Sequence, residues 1–315
     1  MKVLITGGAG FIGSHLALNL LGQGKQVVLL DNFHSYYAKS RKLFQLEQVQ
    51  KAGKIPFYEC DILQKDDVKA VMQQEKVDAV IHLAGFPGVR PSLEIPGAYV
   101  DINIKGTSNV LTCAGEENVK HVIFASSSSV YGEQTGMPLR EEMANGRVLS
   151  PYAASKYGAE SLCHAYQYMY GFQMNILRFF TVYGSWGRPD MAVASFIRKL
   201  LNEEEIVVYG TGTGRDYTYI DDITEGIALT LQSHHSDVYN LGSNAPILMT
   251  ELLMQLETHF PFMRVRQEAH RKGDVTSTWA DISKAQEQLG YRPRVSFAEG
   301  LDRTVAWAKQ YPNIV

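Results

Sequence analysis

The chain opens with an apolar run that leads directly into a cluster of glycines, Lys2-Val3-Leu4-Ile5-Thr6-Gly7-Gly8-Ala9-Gly10-Phe11-Ile12-Gly13. Lys2–Thr6 is long enough for a buried parallel strand, and the segment that follows, Ser14–Leu21, has the composition of a helix. The glycines fit G-x-G-x-x-G when counted from Gly8, or G-x-x-G-x-x-G when counted from Gly7. In either register they allow a tight turn and close approach of the backbone to a pyrophosphate, to which the helix offers unpaired N–H groups. The stretch predicts a dinucleotide-binding turn whose cofactor-binding residues are Gly7, Gly10, Phe11, Ile12 and Gly13.

A second strand-like run, Gln26–Leu30, ends at an acidic residue. Asp31 and Asn32 follow it, with Asp31 eighteen residues beyond Gly13. A carboxylate at this place accepts hydrogen bonds from the adenosine ribose and repels a 2′-phosphate. The sequence therefore favours NAD over NADP and adds Asp31 and Asn32 to the cofactor site.

Composition narrows the class of protein. The 315 residues are 45% hydrophobic and 20% charged, as in an average globular protein. The net charge of −3 gives no electrostatic reason to expect nucleic-acid binding. We expect no membrane contact, because no stretch approaches the roughly twenty apolar residues of a membrane span. The three cysteines are widely spaced and the histidines lack metal-ligand spacing, so we expect no metal site and a reducing, cytoplasmic location.

Strand-like and helix-like patterns alternate through the first part of the chain. Further apolar runs are Ile55–Glu59, Ala79–Leu83, His121–Ala125 and Met174–Leu177. This alternation predicts an α/β fold with a doubly wound parallel sheet of the Rossmann type. We expect residues 1–180 to form the NAD-binding domain, with some later segments returning to the sheet. Residues 181–315 should form a smaller region that mainly binds the substrate, and the segments at residues 184–190 and 210–215 look like loops.

A tyrosine and a lysine four residues apart indicate acid/base chemistry. Tyr152 and Lys156 follow Pro151, which favours the start of a helix, so both side chains should lie on one helix face. A neighbouring ammonium group lowers the pKa of a phenol from its ordinary value of about 10. Tyr152 is therefore a candidate general base at neutral pH.

Together these motifs resemble the extended short-chain dehydrogenase/reductase family, in its NAD-dependent nucleotide-sugar epimerase/dehydratase branch. The matching segments are Thr6–Gly13, Asp61-Ile62, His82–Gly85, Asn103, Ser126–Gly132, Tyr152–Lys156, Arg215–Tyr217 and Tyr219–Asp222. The resemblance implies that Asp61 and Ile62 meet the adenine and that Lys156 also contacts the nicotinamide ribose. It further implies that the dinucleotide is bound by Leu83, Ala84, Gly85, Asn103 and Phe179.

Within this branch, the segments Gly88–Leu93 and Arg178–Ala192 most resemble the subgroup that inverts carbon 4 of UDP-glucuronate. The resemblance implies that NAD transiently oxidises this carbon to a ketone while Tyr152 takes and returns the O4 proton. Ser127 is the expected hydroxyl between the substrate and Tyr152, and Ser128 is its nearest rival. Thr181-Val182 stands where UDP-glucose 4-epimerases usually carry an asparagine, which counts against a plain hexose substrate.

A uronate substrate adds a hazard, because a ketone at C4 lies β to the C6 carboxylate and β-keto acids lose CO₂ readily. Ser128 and Thr181 are the candidates to hold that carboxylate, with Arg90 or Arg188 helping to position it. By resemblance, Arg215 and Arg271 face the UDP diphosphate and Asp274 faces a ribose. Many relatives have proline after the arginine, where this chain has Lys272.

Other functions remain open at this stage. The alternatives are a 4-epimerase of UDP-glucose or UDP-N-acetylglucosamine, a UDP-glucuronate decarboxylase, and an NAD-binding sensor without turnover. A 4,6-dehydratase is disfavoured, because relatives of that type usually carry an Asp-Glu pair after a threonine where this chain has Ser127-Ser128-Ser129. Relatives are commonly homodimers formed through paired helices, and we expect the same here.

Overall fold

The computed structural model describes residues 1–210, 212–269, 275 and 277–314. Its strands, in chain order, are β1 (Lys2–Thr6), β2 (Gln26–Asp31), β3 (Phe57–Glu59), β4 (Ala79–His82), β5 (His121–Ser127), β6 (Gln173–Phe179), β7 (Thr181–Tyr183), β8 (Ile206–Tyr209), β9 (Gly214–Tyr219), β10 (Asp237–Leu241), β11 (Pro246–Leu248) and β12 (Val265–Glu268).

Helices connect most of these strands. They are α1 (Phe11–Gly22), α2 (Lys39–Ala52), α3 (Lys65–Glu75), α4 (Val89–Glu94), α5 (Pro96–Tyr99), α6 (Thr107–Glu116), α7 (Pro151–Tyr170), α8 (Ala192–Leu201), α9 (Ile220–Thr230), α10 (Met249–His259), α11 (Ser283–Leu289) and α12 (Phe297–Gln310). A π-helical segment, Val100–Gly106, leads into α6, and short 3₁₀ turns span Ser128–Tyr131 and Glu141–Met143.

The large sheet is parallel throughout, in the order β10-β6-β5-β4-β1-β2-β3. The chain winds outward from β1 to β3, then returns to place β4 on the other side of β1. This reversal creates a crevice beyond the carboxyl ends of β1 and β4, where ligands bind in such sheets. The predicted doubly wound α/β fold is confirmed.

Each face of the sheet carries its own hydrophobic core. Val3 and Ile5 pack on one face, in a cluster that includes side chains of α1, α2 and α9. Leu4 points to the other face, in a cluster with side chains of α3, α6 and α7. Such strands are buried on both sides, which explains why their sequences read as continuous apolar runs.

The later part of the chain forms two smaller sheets. One has the order β11-β9-β7 and the other pairs β12 with β8. Gly214 and Arg215 belong to β9, so the end of the loop predicted for residues 210–215 is a strand in the structure. β10 returns to the large sheet and pairs with β6. Among the described residues, no helix is both long and apolar enough to cross a bilayer.

Candidate active site

A cavity of about 250 Å³ opens at the carboxyl ends of β1 to β6. Its lining brings together most of the residues predicted from sequence: Gly7, Phe11, Ile12, Gly13, Asp31, Asn32, Asp61, Ile62, Leu83, Ala84, Gly85, Ser127, Tyr152, Lys156, Phe179 and Arg188. A parallel sheet gathers these residues because every strand ends at the same edge. Their individual roles in binding remain predictions.

Close packing leaves no room for a side chain at several glycines of the turn. Gly7 has a φ of +71°, and a Cβ built there would lie 2.8 Å from the backbone nitrogen of Ala84. A Cβ on Gly13 would collide with the carbonyl oxygen of Gly7. These close approaches pack β1, α1 and the segment after β4 together. The first N–H groups of α1, which have no partner within a helix, are available to a phosphate. This cradle fits a dinucleotide.

Asp31, at the end of β2, is buried and already engaged. One of its oxygens accepts hydrogen bonds from the N–H of Phe33 at 2.8 Å and from the ammonium group of Lys42 at 3.3 Å. The other accepts from the N–H of Ala9 at 3.2 Å. The carboxylate therefore fixes the glycine turn to the end of β2, and it faces the cavity.

A buried hydrogen-bond chain supports the other wall of the cavity. The Ala84 N–H donates to the Thr6 hydroxyl at 3.2 Å, and that hydroxyl lies 2.7 Å from Nδ1 of His82. On the far side, Nε2 of His82 lies 3.0 Å from the Thr107 hydroxyl, which donates to the carbonyl of Asn103 at 2.6 Å. Because the Thr107 hydroxyl gives its proton to the carbonyl of Asn103, its oxygen accepts a hydrogen bond from Nε2 of His82. His82 is therefore neutral, with its proton on Nε2. Burial agrees, because it lowers the pKa of His82 to about 3.

The helix start predicted at Pro151 is correct. The Ser150 hydroxyl caps α7 by accepting from the N–H of Ala153 at 3.1 Å. Tyr152 and Lys156 therefore lie one turn apart, and both face the cavity. The Lys156 ammonium donates to the carbonyl of Ala125 at 2.8 Å, and burial lowers its pKa to about 8.

The pKa of Tyr152 differs in direction from the sequence prediction. Burial raises it above the ordinary value, while a hydrogen bond with Ser127 and the charge of Arg188 act to lower it. Lys156 was expected to supply the favourable charge, but its ammonium group donates to a carbonyl at the end of β5. Arg188 is a cation whose charge favours the phenolate in this structure.

Arg188 reaches the cavity from the loop between β7 and α8. Its guanidinium makes two hydrogen bonds to Asp190, at 3.1 and 2.7 Å, and lies over the ring of Tyr36. Helix α2 fixes the same loop, because Arg41 donates to the carbonyl of Gly187 at 2.7 Å and Gln45 to that of Trp186 at 3.2 Å. Helix α2, which packs on the large sheet, thus sets the position of Arg188, a residue from the later part of the chain.

A buried ion pair joins the strand that carries Ser127 and the helix that carries Tyr152 and Lys156. Arg178 of β6 donates to both oxygens of Glu160, at 3.0 and 2.8 Å, and the Ser126 hydroxyl donates to the same carboxylate at 2.5 Å. Glu160 stands one helical turn beyond Lys156, and Ser126 precedes Ser127. The pair therefore ties β5, β6 and α7 together next to Ser127 and Lys156.

Several predicted residues lie outside the lining that the described residues form. Gly10 packs against Gly7 at the start of α1, and Asn103 holds both backbone groups of Phe86 from behind, at 2.7 and 3.0 Å. Thr181 shares a small adjoining cavity with Arg188. The others are Ser128, which begins a 3₁₀ turn next to Ser127, Arg90, which lies over the ring of Tyr209, and Arg215, which donates to the carbonyls of Gly214 and Val275. Arg271 and Asp274 lie outside the described residues.

The sequence reasoning also missed residues that the structure places in the lining. They include His34, Tyr36, Tyr37, Lys42, Phe86, Pro87 and Met191. Most of them stand in the segment after β2 or next to the predicted run Leu83–Gly85. The only available signal was their position just beyond a predicted strand end, since their residue types do not indicate a cofactor.

The fold and the cavity define a Rossmann-type enzyme in which a tyrosine and a lysine, one helical turn apart, line the cavity. Comparison with known proteins places the chain more narrowly: it belongs to the NAD dependent epimerase/dehydratase family, whose model matches residues 3–242.

Individual relatives cover essentially the whole chain. It is 41% identical over 315 residues to the UDP-glucuronate 4-epimerase of Thermodesulfobacterium geofontis, a match that spans 99% of this chain and 97% of that protein. It superposes with a TM-score of 0.93 and 35% identity on a Bacillus cereus UDP-glucuronic acid 4-epimerase in complex with UDP-glucuronic acid and NAD, covering 98% and 99% of the two chains. A UDP-glucose 4-epimerase from Thermotoga maritima, solved with UDP-glucose, gives a TM-score of 0.90 at 30% identity, again covering 98% and 99%.

Proposed function

We propose that this protein is a UDP-glucuronate 4-epimerase that interconverts UDP-glucuronate and UDP-galacturonate through a transient 4-ketone, with NAD as its cofactor. The observation that carries the proposal is that one cavity contains candidate acid/base residues at one end and a dinucleotide-binding turn at the other. Ser127, Tyr152 and Lys156 stand at one end, and the Gly7–Gly13 turn with Asp31 stands at the other. The relatives named above support the choice of substrate.

The residues that would hold NAD follow from the lining. The glycine turn and the start of α1 suit the pyrophosphate, Asp31 the adenosine ribose, and Asp61 with Ile62 the adenine edge. Leu83, Ala84, Gly85 and Phe179 supply the walls of the dinucleotide site. When bound, NAD supplies the acceptor and the donor of the electron pair that leaves and returns to C4 of the sugar.

The chain's own part in the reaction is proton transfer and orientation. Tyr152 takes the proton from O4 as the ketone forms and gives it back when the alcohol re-forms. Ser127 hydrogen-bonds to Tyr152 and orients O4, and Lys156 holds the nicotinamide ribose. Turnover of the ketone within the cavity then presents its opposite face, which inverts the configuration at C4.

The uronate carboxylate belongs, in this proposal, on the side where Arg188 enters the cavity. Arg188 lines both the large cavity and the small one that contains Thr181. Ser128 follows Ser127 directly and can contribute its hydroxyl. Arg90 is the weaker candidate, because it lies over Tyr209 at the end of β8. We assign Arg215, Arg271 and Asp274 to the UDP portion.

The remaining parts of the proposal concern the whole protein. We infer a homodimer from family likeness, to be tested by light scattering in solution, and a division of the chain near residue 180. A cytoplasmic location is supported by Cys60, Cys113 and Cys163, which are buried free thiols.

A product assay tests the function. Purified protein is incubated with UDP-glucuronate, and in parallel with UDP-glucose and UDP-N-acetylglucosamine, and the nucleotide sugars are resolved by chromatography. We expect UDP-galacturonate from the first reaction and little turnover in the others. Tyr152→Phe removes only the phenolic hydroxyl and should reduce the rate at least about 100-fold.

Each other product points to another function. UDP-pentose as the main product would indicate a decarboxylase, and preferential inversion of UDP-glucose would indicate a hexose epimerase. Retained NAD with no conversion of any sugar would indicate a sensor. Full activity in Tyr152→Phe would contradict the proposed mechanism.

A further inference from the structure

Lys42 is an unexpected cation at the adenosine end of the cavity. It stands on the first turn of α2, and its ammonium group lies 3.3 Å from a carboxylate oxygen of Asp31. Both side chains are almost fully buried, with 9% and 6% exposure, and both line the cavity. The ammonium group also lies over the ring of Tyr37, 5.2 Å from its centre.

This ion pair changes the charge that a cofactor meets. The sequence argument for NAD rests on an uncompensated Asp31, which would repel a 2′-phosphate. In the structure, the ammonium group of Lys42 stands beside that carboxylate. Tyr37, His34 and Asp61 are further ionisable groups near the pair, and Asp61 itself accepts a hydrogen bond from the amide of Asn32 at 2.9 Å. The preference for NAD therefore depends on the balance between Asp31 and Lys42.

We propose that Lys42 is a specificity-determining residue of the dinucleotide site: paired with Asp31 it helps to hold the adenosine ribose of NAD, and without the Asp31 charge it binds a 2′-phosphate. The physical reason is that a buried ammonium group left without its anion is costly, and a phosphate would replace that anion. This inference rests on the proposed use of NAD.

Binding of both dinucleotides to four variants tests the proposal. Asp31→Asn removes the charge and keeps an oxygen that can accept from the N–H of Phe33. Its new amide group would, however, face the N–H of Ala9, so Asp31→Ser is included as a second uncharged variant that has no amide. Lys42→Met and the double variant Asp31→Asn/Lys42→Met are the matched controls. Affinities for NAD⁺ and NADP⁺ are measured by fluorescence titration of protein freed of nucleotide, and any dinucleotide retained through purification is released by acid and identified.

We expect the wild type to prefer NAD⁺, and we expect at least one Asp31 variant to gain about 10- to 100-fold in NADP⁺ affinity, the range for a hydrogen bond to a charged group. The gain should disappear in the double variant, and NADP⁺ should raise the melting temperature of the Asp31 variants only while Lys42 is present. NADP⁺ affinity that stays at the wild-type level in both Asp31 variants, or a gain that survives in the double variant, overturns the proposal. A wild type that binds neither dinucleotide would instead overturn the proposed function itself.

Discussion

Tyr152 can act as a base only if other groups offset its burial. Burial disfavours the phenolate, and the structure opposes it with the Ser127 hydroxyl and the charge of Arg188. Arg188 is in turn held by Asp190, so in the proposed mechanism one ion pair influences both the proton on Tyr152 and the carboxylate of the substrate. This gives Arg188 an effect that can be measured separately from substrate binding.

Arg188→Met should move the pH dependence of catalysis. Removing the cation raises the pKa of Tyr152, and because the base works only when deprotonated, kcat should require a higher pH. We expect the low-pH limb of the kcat profile to shift to higher pH. Arg188→Lys keeps the charge and should shift it less. Identical midpoints in the wild type and both variants would show that Arg188 does not tune the phenol.

Thr181→Val should increase loss of CO₂ from the uronate. Thr181 begins β7 and shares the small cavity with Arg188, where its hydroxyl can hold the carboxylate out of line with the C4 ketone. A hydrogen bond to a charged group contributes about 1.5–3 kcal/mol, so the decarboxylated fraction should rise roughly tenfold or more. Mass spectrometry of UDP-pentose and its 4-ketone measures it, with Thr181→Ser as the control. Reduced epimerisation without any decarboxylated product would argue against a restraining role.

At the scale of secondary-structure elements, the positions of Ser127, Tyr152 and Lys156 depend on how β5, β6 and α7 are held together. Glu160 and Arg178 are each about 5% exposed, and every oxygen of the carboxylate accepts at least one hydrogen bond. Burial of such a pair is costly, so its stability contribution appears mainly when one partner is removed.

Glu160→Gln or Arg178→Met alone should lower the free energy of unfolding by about 3–5 kcal/mol, because each leaves a buried group uncompensated. The double variant should lose less than the sum of the two. Urea denaturation of the four proteins completes the cycle. Additive losses would mean that the two side chains stabilise the fold independently.

Elements with strong local signals were predicted well. The bounds of β1 match the sequence prediction, β2 extends it by one residue to Asp31, and α7 begins at Pro151. The two small sheets could not be predicted, because β8 pairs with β12 across more than fifty residues and neither strand has a distinctive pattern. Local periodicity carries no information about such distant partners.

For the molecule as a whole, the sequence predicted the edge of the sheet at which the site lies but not how its parts interact. Glycines and strand ends located the dinucleotide turn, Asp31 and the tyrosine–lysine pair. Lys42 was missed because its role depends on helix α2 folding back over the end of β2. The effect of Arg188 on Tyr152 was not predicted, because Arg188 approaches through a loop that only the packing of α2 positions.

The return of β10 to the large sheet has a consequence for synthesis of the protein on the ribosome. β6 pairs with β5 on one side and with β10 on the other. A nascent chain that has emerged only as far as residue 180 presents β6 as an open edge with unpaired backbone groups, which invites pairing with other chains. The edge of β6 therefore stays open to misassembly until β10, which ends at residue 241, has left the exit tunnel.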